Sequence, residues 1–130
     1  RAGKVCIVTN AQESWVETSS RTYLPLTNRF IEEGKVAVVS ARSEYEDLYP
    51  GEPKRWKTEA FLEIAKSMDS QVPTNVICVG DSEIEMEAAT NMAESFKQVI
   101  VKTVKLKPCP KIDELVKELH LILEKFEQIY

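Results

Sequence analysis

The chain has 130 residues, 43% hydrophobic and 29% charged, with four glycines and six prolines; this is the composition of an ordinary folded domain and excludes collagen-like and low-complexity chains. A chain of this length hides roughly two-thirds of the surface it exposes when unfolded, enough for one core, so residues 1–130 are expected to form a single domain. Seventeen basic against 21 acidic residues leave a net charge of -4, which supplies no general cationic field for nucleic acid or an anionic membrane surface.

No apolar run reaches the ~18 to 20 residues of a bilayer span, and the start RAGKVCIVTN lacks the sections of a secretory signal. A cytoplasmic chain with no membrane partner is the expectation. Cys6, Cys78 and Cys109 are odd in number and the first two sit in apolar runs, so buried reduced thiols are expected rather than disulfides or a zinc site. Residue 1 is Arg, not Met, which points to a processed or shortened chain.

In chain order, the first run rich in β-branched residues is Val5 to Thr9 (VCIVT), expected to be a strand. Trp15, Val16, Tyr23, Leu24, Phe30 and Ile31 follow at helical spacing interrupted by Pro25, which predicts two short helices or one kinked helix ending at Gly34. Val36 to Ser40 (VAVVS) reads as a second strand. Ser43 to Arg55 is polar, carries Pro50, Gly51 and Pro53, and reads as a loop. Ala60, Phe61, Ile64, Ala65 and Met68 form one helix face, and Val76 to Val79 (VICV) a third strand. Ile84, Ala88, Ala89, Met92 and Ala93 form another helix face, followed by a fourth strand at Val99 to Val104. The last helix, Ile112 to Tyr130, carries a broad apolar stripe that is expected to pack on the sheet.

The first three strand runs are nearly continuous in apolar residues, the pattern of strands covered on both faces, and helices separate them. This predicts an α/β fold: a Rossmann-like three-layer parallel sheet flanked by helices. In such a sheet ligands gather beyond the carboxyl ends of the strands. Those ends are polar: Thr9-Asn10, Ser40-Ala41-Arg42, and Gly80-Asp81-Ser82 followed by Glu83, Glu85 and Glu87.

Gly80 permits a tight turn that leaves Asp81 at the strand tip, and Glu85 stands on the first turn of the next helix. Their carboxylates could share a hard cation such as magnesium; the alternative is that acids collect at a helix start because the macrodipole favours them there. Thr9 and Asn10 could donate to a phosphate oxygen, or close a strand-to-helix turn instead. Lys57 could neutralise phosphate charge, with Lys54 and Arg55 as competitors. His120 lies far from this edge and is assigned no role. Lys97, Lys102, Lys105, Lys107 and Lys111 read as a solvated basic edge, and Trp15 and Trp56 as packing residues.

VCIVTN at 5 to 10, WK at 56 and 57, and VICVGDSEIE at 76 to 85 together resemble, in order and spacing, the second, third and fourth motifs of the haloacid dehalogenase superfamily. The resemblance spans residues 4 to 105. It implies a magnesium-dependent phosphatase core in which Thr9 and Asn10 bind the transferred phosphoryl group, Lys57 pairs with nucleophile and phosphate, and Asp81 and Glu85 hold the metal. It implies a small phosphorylated substrate or a phosphoprotein.

The family's first motif, DxDxT, is missing. The aspartates are Asp47, Asp69, Asp81 and Asp113, none in a D-x-D pair, so the strand that carries the nucleophile has no place in this chain. Magnesium and Lys stabilise charge but cannot form the covalent intermediate. The chain alone is therefore expected to be inactive, with the strand lost by truncation, supplied by another chain, or absent from a scaffold that serves as a non-catalytic binding or interaction domain. The absent strand would sit between the first and third runs, so that gap should be closed by direct pairing or filled by a second chain.

Overall fold

A computed structural model describes residues 3–68 and 73–130; Arg1 and Asp69 lie outside the described residues. The chain is α/β and divides into two compact units, residues 1–60 and 61–130.

In the first unit, β1 (Val5–Thr9) pairs in parallel with β2 (Val36–Ser40), with Val5 opposite Val36 and Thr9 opposite Ser40. The helices between them are α1 (Trp15–Tyr23) and α2 (Pro25–Glu32). They are separate because Pro25 has no N–H and forces Leu24 out of helical geometry, to φ -136°, ψ 59°. Ser20 donates to Asn28 Oδ1 at 3.0 Å, which ties the two helices through a pair of buried polar side chains. α2 stops where Gly34 adopts φ 66°; Lys35 N donates to Phe30 O and Gly34 N to Ile31 O, both at 2.9 Å, the double bond of a Schellman end.

The segment expected to be a loop is partly helical. α3 (Ala41–Tyr45) begins at once after β2, and α4 (Pro53–Lys66) begins at Pro53 and runs through the boundary between the units. Ser40 starts α3 by accepting a hydrogen bond from Ser43 N at 3.1 Å. Pro53 starts α4 because its fixed φ and missing N–H suit a first helical turn. The core of this unit is Trp56, Ala41 and Ala60, against Val8, Val39, Tyr45 and Tyr49. Trp56 is 6% exposed and its Nε1 donates to Tyr49 O at 2.6 Å. Arg55 stacks over the Tyr49 ring at 3.7 Å from its centroid.

In the second unit, β3 (Thr74–Gly80) pairs in parallel with β4 (Val99–Lys105) over seven residues. The crossover is α5 (Glu83–Ser95), which buries Ala88, Ala89 and Met92. α6 (Ile112–Ile129) ends against the strands: Lys102 Nζ donates to Ile129 O at 2.6 Å, and Asn75 Nδ2 to Tyr130 O at 2.9 Å. The ammonium thereby takes up carbonyls that the last turn of a helix leaves without partners.

Three further expectations change. Among the described residues the strands form two two-stranded parallel sheets, β1-β2 and β3-β4, rather than the one sheet expected. The first and third strands are not covered on both faces either, since Val5 and Val79 are 57% and 44% exposed. The stripe of α6 is split: Leu115, Ile122 and Phe126 are half-buried, while Ile112, Val116, Leu119 and Leu123 are exposed.

The two tryptophans should therefore respond differently to truncation. Trp56→Ala removes the centre of a core and should lower unfolding free energy by about 3 kcal/mol or more, whereas Trp15→Ala, at a side chain 61% exposed, should stay within about 0.5 kcal/mol of the parent. Urea unfolding of both variants measures this, and equal losses would contradict the core assignment.

Candidate functional site

In the first unit, Thr9 ends β1 and its Oγ1 accepts a hydrogen bond from Ala11 N at 3.0 Å, so the hydroxyl closes the turn into α1. Asn10 reaches across the unit: its Nδ2 donates to Pro53 O at 3.0 Å, tying the tip of β1 to the first turn of α4. Its Oδ1 is shut off from solvent without a hydrogen-bond partner. Lys57 follows Pro53 by four residues, one turn further along the same face of α4, and is 7% exposed. The structure thus brings Thr9, Asn10 and the start of the Lys57 helix to one end of β1.

The end of β2 carries a hydroxyl network. Ser40 donates to Ala11 O at 2.7 Å, and Glu13 N donates to Ser43 Oγ at 3.0 Å. The two serine oxygens are 2.9 Å apart. A carbonyl has no proton to give and a hydroxyl has one, so the proton of Ser40 lies on Ala11 O and that of Ser43 serves the shared contact. Ser43, inside the segment expected to be a loop, was not visible as a functional position; the Ser40-x-x-Ser43 spacing of a helix start was its signal.

In the second unit, Gly80 ends β3 and the side chain of Glu85 folds over it. A Cβ added at Gly80 would lie 2.8 Å from Glu85 Cγ and 3.0 Å from its Cβ, so a larger residue here requires the Glu85 side chain to shift. Asp81 is exposed at the strand tip. Ser82 caps α5: its Oγ accepts from Ile84 N at 3.2 Å, and Glu85 Oε2 accepts from Ser82 N at 3.0 Å and contacts the Ser82 hydroxyl. Glu85 is thus the reciprocal partner of a capping box. Its neighbour Glu83 pairs with Lys105 at 3.1 Å.

Asp81 and Glu85 offer hard oxygen donors, which fit magnesium in kind, as one or two carboxylates that a phosphorylated ligand would complete. Among the described residues no group of three His, Cys, Asp or Glu side chains is gathered as a metal would need. The pair would hold an ion only together with ligands from outside it.

All three cysteines are outside any disulfide; Cys78 is buried, and Cys6 and Cys109 are exposed, the latter two contrary to expectation. Cys6 is the second residue of β1. Partial burial, and then the nearby Glu44 carboxylate, push its thiol pKa up. Trp56 is a core residue, and His120 is exposed on α6. Lys102, Lys105 and Lys107 of the expected basic edge bond respectively to the end of α6, to Glu83 and to Glu114.

No protein-family model, curated protein or solved structure matches this chain.

Two predictions follow from the local chemistry. Ser82→Ala should cost about 1 kcal/mol through loss of the cap, and Gly80→Ala should cost at least as much because Glu85 has to leave its place; thermal unfolding measures both. A raised thiol pKa means that the native state holds the Cys6 proton more tightly than the unfolded chain does. Its contribution is complete below the unfolded thiol's pKa and is lost as pH rises through the native one. Urea midpoints taken across the alkaline range should fall more steeply for the parent than for Cys6→Ser.

Proposed function

We propose that this chain is a ligand-binding α/β scaffold, similar to the haloacid dehalogenase core, that does not hydrolyse phosphomonoesters by itself. The observation that carries this reading is the engagement of the strand-tip side chains in the fold. Glu85 closes the cap of α5, Thr9 closes the turn after β1, and the two serines at the end of β2 hold each other and Ala11. None of these groups is a nucleophile with an adjacent base, which covalent catalysis requires. Three cysteines outside any disulfide fit a reducing, cytoplasmic setting.

A second reading is favoured by Asn10 and Lys57. The Asn10 bond to Pro53 O fixes the β1 tip against the helix that carries a buried ammonium, which is what a phosphoryl-binding pair needs. In this reading the chain is the core of a phosphohydrolase acting on a small phosphomonoester or a phosphoprotein. Thr9, Asn10 and Lys57 hold the phosphoryl group, and an aspartate from outside these 130 residues attacks phosphorus as the ester oxygen leaves. Asp81 and Glu85 would hold magnesium, which offsets phosphate charge when bound. The nucleophile would arrive on an added strand, and β1, which pairs only with β2 among the described residues, offers an open edge for it.

Both readings leave the isolated chain without turnover; they separate when a strand bearing the DxDxT motif is supplied, on a longer chain or on a second one. Given p-nitrophenyl phosphate and magnesium, that assembly should show no turnover above buffer on the binding reading. Magnesium-dependent turnover that falls at least tenfold in Asp81→Asn would overturn the binding reading and establish the hydrolase.

A further inference from the structure

The last helix of the second unit, α6, carries an apolar stripe that the described residues leave uncovered. At about 3.6 residues per turn, positions 112, 116, 119 and 123 fall in one narrow sector of the helix, and positions 115, 122, 126 and 129 about a quarter-turn away. The second set is half-buried. In the first, Ile112 and Leu123 are 85% and 73% exposed, and Val116 and Leu119 close to half. Single exposed leucines are ordinary on a protein surface, whereas a continuous apolar stripe marks a contact.

Its spacing, charge and size select the occupant. Steps of four, three and four residues are those of the alternating seam positions of a coiled coil, and they read the same in both directions. A two-fold contact between identical copies needs such self-complementarity. In an antiparallel pair Ile112 meets Leu123 of the second copy and Val116 meets Leu119. The same register brings Asp113 beside His120 of the second copy, twice by symmetry, and an imidazole donates to a carboxylate whether neutral or charged. Both residues are exposed, on the flank of the stripe away from the half-buried set. A parallel pair would turn that flank toward the half-buried set instead, with His120 against Leu115 and Glu127 against Ile122. Covering the four side chains on two copies, with the stems beside them, takes on the order of 1,000 Å² out of water, the lower bound for a specific interface. An area of that order corresponds to a weak dimer, with a dissociation constant of about 1 to 100 µM.

We propose that the exposed stripe of α6 is a self-association surface, through which two copies of this chain pair as antiparallel helices with Ile112, Val116, Leu119 and Leu123 in the seam and Asp113 against His120 at its edge. The proposal goes beyond both readings of the strand tips and depends on neither.

The test is sedimentation equilibrium of the 130-residue chain from about 5 to 500 µM, the range in which so small an interface titrates. A monomer–dimer equilibrium is expected, at least tenfold weaker in Leu123→Glu, which puts a charge into the seam. Leu121→Glu is the control: its side chain is also exposed but lies half a turn from the stripe, so the dimer should be unchanged. If circular dichroism shows Leu123→Glu to be misfolded, Ile112→Lys takes its place with the same expected loss. His120→Glu sets two carboxylates together and should weaken the dimer severalfold, and combining it with Asp113→Lys should restore it. A chain that stays monomeric throughout would overturn the proposal, as would a dimer that ignores Leu123→Glu, which places the contact elsewhere, at a strand edge for example. Equal losses in Leu121→Glu and Leu123→Glu, or no rescue by Asp113→Lys, would overturn it as well.

Discussion

The first N–H groups of every helix have no partner inside the helix, and in a parallel α/β chain those groups emerge where the strands end. Side chains that a reaction at that edge would use are therefore the same ones the backbone needs. The ends of β1, β2 and β3 resolve this competition in favour of the backbone to a visible degree. Thr9 accepts from Ala11 N, Ser40 from Ser43 N, and Ser82 with Glu85 forms a reciprocal cap. Asp81 differs: it is exposed at the end of β3. The functional reading turns on how much acceptor and donor capacity remains after the caps are satisfied, rather than on which residue types stand at the tips.

What was legible in the sequence follows from how local its cause is. The strands were readable because β-branched runs of four to six residues have few alternatives, and the α1/α2 break because Pro25 acts on its own neighbour, Leu24. The segment from Ser43 to Arg55 was misread because its prolines have two roles. Pro50 and Gly51 do turn the chain, with Gly51 at φ 74°, whereas Pro53 opens α4. A proline inside a polar stretch does not declare which. Coverage of the strands and burial of the α6 stripe were not legible, because both depend on which other elements lie alongside. Glu85 was legible as an acid at a helix start, and its close approach to the Gly80 backbone was not.

The two parallel ladders have a consequence for partners. Two strands seldom make an independently stable sheet, and helix packing has to supply the rest. In the first unit it comes from Trp56 and its neighbours; in the second, from Ala88, Ala89 and Met92 of α5 and from the Lys102 and Asn75 bonds to the end of α6. The outer edges of β1 and β3 gain nothing from these contacts. A near-continuous apolar strand with an open edge is a template for further pairing, which is why an added strand belongs to the phosphohydrolase reading and a screen for self-association belongs with any study of the isolated chain.

Magnitude decides where an anion can sit at the end of β1. Two unit charges about 4 Å apart interact by about 4 kcal/mol near a protein surface. A phosphate dianion in a cavity walled by Glu13, Glu17 and Glu44 would meet several such repulsions at once. The helix ends return only a fraction of that sum, because each carries about half a charge and its influence fades within a turn. Lys57 could redress the balance only by reaching the anion, and it does not line this cavity. On the phosphohydrolase reading a phosphoryl group near Thr9 must then sit outside the carboxylate-lined space, toward Asn10 and α4.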